Sequence, residues 1–179
     1  LCVPEIPTLL MNGGCIYPGL DGGEALMFFE TAVIEAQLQL ERSFELVAAS
    51  TGQPTVVVCD RGLLDIAAYM PKQTWDRVLE KNGLTEQQLV DRYHMVLHLV
   101  TAANGAEQFY SSRTTITEST QTTNDARMET AAEARELDDR IQNCYKAHPK
   151  LKVVDNSTDF KGKLAKATKH VIDELLAAQ

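Results

Sequence analysis

Thr55-Val56-Val57-Val58-Cys59-Asp60-Arg61-Gly62-Leu63-Leu64-Asp65 is a β-branched apolar run that ends abruptly in a carboxylate, a guanidinium and a glycine. An apolar run without polar alternation suits a strand covered on both faces, and Pro54 and Gly62 bound its length. Such strands build parallel sheets, whose ligands sit in the crevice beyond the strands' carboxyl ends. A hydrophobic strand closing in Asp also has the form of a Walker B element, in which the Asp orients Mg²⁺ or its waters beside nucleotide phosphates. At this point a second reading carries equal weight: Asp60 caps the helix that follows.

Upstream, Leu1-Cys2-Val3-Pro4-Glu5 reads as the end of a strand, with Glu5 at its carboxyl edge. Ile6 to Asn12 predicts a short helix stopped by Gly13-Gly14, and Cys15 to Gly23 a loop. From Glu24 to Ala49 the spacing of Leu26, Phe29, Val33, Ala36, Leu40, Phe44 and Val47 predicts a core helix. Downstream, short helices are expected over Leu63 to Tyr69, Pro71 to Glu80 and, capped by Thr85, through Asp91. Met95 to Val100 repeats the buried-strand signature.

Thr101 to Asn124 is a long connection, and the stretch of about 106 to 128 reads as a polar lid. Asn124 or Asp125 is expected to cap the helix carrying Arg127, Arg135 and Arg140. Leu151 to Asp155 is a further strand, Asn156 to Asp159 its exit loop, and Phe160 to Ala178 a closing amphipathic helix. The alternation predicts a parallel sheet with crossover helices in one domain spanning 1–179.

The 179 residues suffice for one α/β domain with a sizeable core. A net charge of −8 excludes sequence-independent binding along a nucleic-acid backbone, which needs an excess of Lys and Arg. Cys2, Cys15, Cys59 and Cys144 have no Cys-x-x-Cys spacing and are expected as reduced core thiols of a cytoplasmic protein. No apolar stretch is long enough for a membrane span. His94 and His98 are too few for a metal site. Trp75 reads as packing, and Asp65 as a first-turn helix residue.

Several motifs occur in a fixed order: Val3-Pro4-Glu5, Cys59-Asp60-Arg61-Gly62, Asp91-Arg92-Tyr93, Ala102-Ala103-Asn104-Gly105-Ala106-Glu107, Ala134-Arg135-Glu136-Leu137-Asp138, His148-Pro149 and Asp155-Asn156-Ser157-Thr158-Asp159-Phe160. Together they resemble the AAA-type P-loop family that includes the animal TRPL translocation-defect protein. More distantly they resemble nicotinamide riboside kinases and deoxynucleoside kinases. The resemblance implies a three-layer α/β/α, kinase-like P-loop NTPase that uses Mg²⁺ with ATP or GTP. It also implies phosphoryl transfer to a small-molecule acceptor or to water, or else a regulatory and trafficking module that recruits membranes or protein partners. Relatives carry a triphosphate-tunnel-like domain after the closing helix. No Gly-x-x-x-x-Gly-Lys-Ser/Thr stands in the sequence, so the central strand and phosphate loop are expected before Leu1. Natural loss of that loop is the alternative.

By the same resemblance, Asp60 holds Mg²⁺ through water, Arg61 meets the transferred phosphoryl group, and Glu5 is either the general base or a helper of the metal site. Arg127 is the lid cation, with Arg135 behind it and Arg113 able to swing in. Asn156, Ser157 and Thr158 pass the nucleotide base, although a plain Asx turn explains the same residues.

Overall fold

The long apolar period of the first half becomes α2, Gly23–Ser50. It lies against a short parallel strand pair, β1 at Cys2–Val3 and β2 at Val58–Cys59, with Cys2 opposite Val58 and Val3 opposite Cys59. The computed structural model describes residues 1–110 and 130–177, and the chain falls into two units, Leu1–Leu89 and Val90–Gln179.

In the first unit, α1 (Ile6–Asn12), a 3₁₀ helix (Leu63–Tyr69) and α3 (Lys72–Asn82) pack with β1 and α2. The side chains of Val3, Ile6, Leu26, Ile34, Leu63, Trp75 and Val78 are all but sealed from solvent. The helix α4 (Glu86–Val90) follows, and Glu86 Oε1 accepts the Trp75 indole N–H at 2.9 Å. That bond satisfies the one polar atom of a buried indole.

Helix α2 is only half the core helix expected. Its buried side chains run Leu26, Phe29, Glu30, Thr31, Val33, Ile34 and then Gln37 and Glu41, while Leu46 and Val47 are exposed. The inward stripe keeps the 3.6 period but turns polar after Ile34, because its last members serve the backbone beyond β2. The strand itself also differs from expectation. Val58 is 52% exposed and Val56 37%, and among the described residues β2 pairs only with β1.

In the second unit, β3 (Val96–Leu99) and β4 (Leu151–Val154) pair in parallel, with Val96 opposite Leu151 and Leu99 opposite Val154. Helix α5 (Ala131–Cys144) lies between them in sequence, and α6 (Phe160–Ala177) packs on β4. Here too the fully buried strand gives way: His98 is buried, but Leu99 and Val153 are open. Thr130, rather than Asn124 or Asp125, caps α5, accepting the Glu133 N–H while Glu133 reaches back to the Thr130 N–H. Buried His148 locks the turn into β4. Its Nδ1 accepts the Lys150 N–H at 3.1 Å, so its Nε2 carries the proton and donates to Tyr93 O at 2.7 Å.

The architecture is therefore mixed α/β with two small parallel sheets. The single extended sheet expected from the sequence is not present among the described residues, because β2 pairs only with β1 and β3 only with β4. The cysteines are not core residues: Cys2 and Cys15 are exposed, Cys59 and Cys144 half-buried, and the described residues form no disulfide. No described helix is long and apolar enough to cross a membrane.

Candidate functional site

The parallel register of β1 and β2 fixes where their carboxyl ends lie. The Asp60 N–H donates to Val3 O at 3.0 Å, which brings the chain leaving β2 alongside the chain leaving β1. Glu5 is the N-cap residue of α1, where its carbonyl accepts the Leu9 N–H. Its carboxylate forms an ion pair with Arg61 Nε and accepts the Thr8 hydroxyl.

Arg61 adopts a left-handed backbone, φ +67°, the only non-glycine residue to do so among those described. That conformation crowds Cβ against its own carbonyl and costs about 1–2 kcal/mol. It is held from two sides. Gln37 Nε2 donates to Arg61 O at 3.1 Å and to Glu41 Oε1 at 2.9 Å, and Arg61 Nη1 donates to the Tyr69 hydroxyl at 2.7 Å. Burial works against the guanidinium's charge, but Tyr69, Glu5 and Asp65 outweigh it and raise the pKa further.

Asp60 is exposed, and its carboxylate has no hydrogen-bond or ion-pair partner among the described residues. Asp60 does not cap the helix that follows: the N-cap position is Gly62, whose N–H donates to Asp65 Oδ2 at 2.8 Å across the start of the 3₁₀ helix. Asp60 is thus a carboxylate at a strand end with both oxygens available. A lone carboxylate suits Mg²⁺, which keeps most of its waters and takes further oxygens from a substrate's phosphates. Among the described residues no three His, Cys, Asp or Glu side chains converge into a self-sufficient metal cage.

The second unit has its own feature at the carboxyl ends of its strands. A hollow of about 300 Å³ is lined by Val100, Asn104, Gly105, Asp155, Asn156 and Ser157. Its polar side chains are those of Asn104, Asp155, Asn156 and Ser157. The Ser157 hydroxyl (2.7 Å) and N–H (3.3 Å) donate to Asp155 Oδ1, and Lys166 Nζ approaches both side chains. These donors hold the Asp155 carboxyl below its usual pKa, the Ser157 hydroxyl foremost.

A family model described as an AAA domain matches residues 1–163. The chain belongs to the AAA domain family. Comparison with curated proteins and with solved structures returns no match.

Of the residues singled out from the sequence, this AAA domain brings Glu5, Asp60 and Arg61 to one strand edge, and Asn156 and Ser157 to the hollow. Thr158 stands at the approach to α6, where Gly162 passes so closely that a Cβ there would lie 2.9 Å from the Thr158 side chain. Arg135 is on α5 and donates to Ala103 O at 2.8 Å, bracing the loop after β3. Arg113 and Arg127 lie outside the described residues.

Four supporting residues of the AAA domain escaped the sequence reading. Gln37 and Thr8 hold Arg61 and Glu5. Asp138 takes the Thr101 N–H at 3.0 Å on one oxygen, and its other oxygen lies 3.3 Å from the buried His98 Nε2 without a hydrogen bond between them. Lys163, only 8% exposed, bonds to Asn156 Oδ1. Only Lys163 had a usable signal, a lysine on the buried stripe of an amphipathic helix. The others are ordinary polar residues whose partners are distant in sequence.

Proposed function

We propose that this AAA domain binds a Mg²⁺-nucleoside triphosphate, ATP or GTP, and carries out kinase-like phosphoryl transfer to a small acceptor or to water. The carrying observation is Asp60: it follows a parallel strand, it is exposed, and the N-cap position that would otherwise account for it is Gly62. Family membership over residues 1–163 supports the same reading.

In this mechanism Asp60 holds the Mg²⁺ through water. The ion, when bound, neutralises charge on the phosphates. Glu5 accepts the proton of the acceptor hydroxyl, and Arg61, already fixed as a cation, offers its remaining N–H groups to the transferred phosphoryl group. By the family resemblance, the nucleotide base is assigned to the exit of β4, at Asn156, Ser157 and Thr158. Arg127 is the lid cation, and Arg135 acts on the loop it braces rather than on phosphate.

A second reading is favoured by one observation. The Glu5 carboxylate is already engaged by the Arg61 guanidinium and the Thr8 hydroxyl, so an acceptor hydroxyl would have to displace one of them to reach it. A domain built so can bind nucleotide and recruit a membrane or partner protein without turnover. Turnover by the full-length protein separates the two. On the enzymatic reading Glu5→Gln abolishes phosphate release or transfer while nucleotide affinity persists. A wild-type protein that binds Mg²⁺-nucleotide but never turns it over supports the regulatory reading.

A further inference from the structure

Asn156 is the side chain the sequence offers for reading a nucleotide base, and the fold uses it for something else. Its Nδ2 donates to Asn104 O at 2.6 Å and Thr101 O at 2.8 Å, with Val100 O at 3.4 Å, so both amide hydrogens are consumed by the loop leaving β3. Its Oδ1 accepts from Lys163 Nζ at 2.7 Å, and the same ammonium donates to Val100 O. Carbonyls on one side and an ammonium on the other leave only one orientation for the amide.

A buried lysine is rare unless its donors are satisfied. Here Lys163 comes from α6, Asn156 from the β4 exit, and their shared partners from the β3 exit. The three segments meet at this knot, and Val100, Asn104 and Asn156 are also walls of the hollow. The groups facing the ammonium include Asp138 of α5 and Asp155 of the β4 exit; burial nevertheless dominates and lowers the Lys163 pKa.

We infer that Asn156 and Lys163 are positioning residues that tie the β3 exit loop to the β4 exit turn and pre-form the hollow, leaving backbone groups, Ser157 and Asp155 to meet the ligand. The identity of that ligand as a nucleotide base rests on the function proposed above; the knot itself does not. Asn156 therefore sets affinity without setting base selectivity.

The test uses the full-length protein with Asn156→Ala, Lys163→Met and the milder Lys163→Gln, which keeps a donor for one of the two acceptors. Amide hydrogen exchange at Asn104 and Ala106, both bonded within the loop, should accelerate by about tenfold or more in Asn156→Ala and Lys163→Met, with Lys163→Gln between. The Val96 amide, bonded to Lys150 O in the strand pair, should keep its protection. Unchanged loop exchange in all three variants overturns the inference, as does equal acceleration at Val96, which marks general loosening.

Titration with the Mg²⁺ complexes of ATP, GTP, CTP and UTP supplies the second arm. In Asn156→Ala all affinities that the wild type shows should weaken together, by about tenfold, the loss expected for charge-assisted bonds. A changed preference among the bases shows that Asn156 reads the base and overturns the inference. If the wild type binds none of the four, the proposed function falls, while the exchange experiment still decides the knot.

Discussion

Replacing Glu30 by Gln should remove much of the pH dependence of the first unit's stability. Glu30 lies on the inward stripe of α2, 4% exposed, and burial lifts its carboxyl from the ordinary 4.5 to about 7. The folded chain holds this proton more tightly than the unfolded chain. Stability from Glu30 is therefore complete below about pH 4.5, falls as the pH rises, and is gone above about pH 7. At about 1.4 kcal/mol per pH unit, the gap corresponds to ~3 kcal/mol.

Glutamine keeps the shape and never ionises, so Glu30→Gln should match the wild type near about pH 4 and exceed it by up to ~3 kcal/mol at about pH 8. The sole tryptophan, Trp75, is 1% exposed in the same unit and reports its unfolding by fluorescence. Urea titrations across that range give the difference directly, and other titrating groups cancel between the two proteins. Curves that stay parallel, or a variant weaker at every pH, would refute a buried neutral carboxyl at this position.

Two further substitutions probe the backbone of the sites. Arg61→Ala and Arg61→Gly both lose the Glu5 pair, but only glycine relieves the positive φ, so Arg61→Gly should be more stable by ~1 kcal/mol in urea denaturation; equal stability would show that the left-handed turn is not under strain. Gly162→Ala improves helix propensity yet drives a Cβ to within 2.9 Å of Thr158 Cβ and Oγ1 and 3.0 Å of Asp159 Oδ1. It should therefore lower the thermal midpoint, at a cost of ~1–3 kcal/mol, and a raised midpoint would contradict the close approach.

Element positions were legible because their signals are local. Helix α1 falls on Ile6 to Asn12 as expected from Pro7 near its start and Gly13-Gly14 after it, and α2 and α6 follow from apolar periods. Burial was less legible. The runs at Val56 to Cys59 and Val96 to Val100 read as sealed strands, but coverage depends on what lies across the sheet, which a run of valines does not encode. The Asp60 edge was visible from the strand-end carboxylate, and its competing role as a cap was decided only by the contact between Asp65 and Gly62. Asn156 shows the opposite failure: its type fits a recognition residue, and only its neighbours, Lys163 and the carbonyls of Thr101 and Asn104, reveal that its bonds are spent. Thr130 and Glu133 form a capping box whose Thr-x-x-Glu pattern is wholly local in the sequence.

The most direct test of the nucleotide reading is calorimetric titration of the full-length protein with ATP and with GTP, each with and without Mg²⁺, alongside Asp60→Asn. The account predicts that at least one nucleotide binds, that Mg²⁺ strengthens the binding, and that Asp60→Asn removes this strengthening while the fold is retained. Failure of both nucleotides to bind, or binding indifferent to both Mg²⁺ and Asp60, would contradict it.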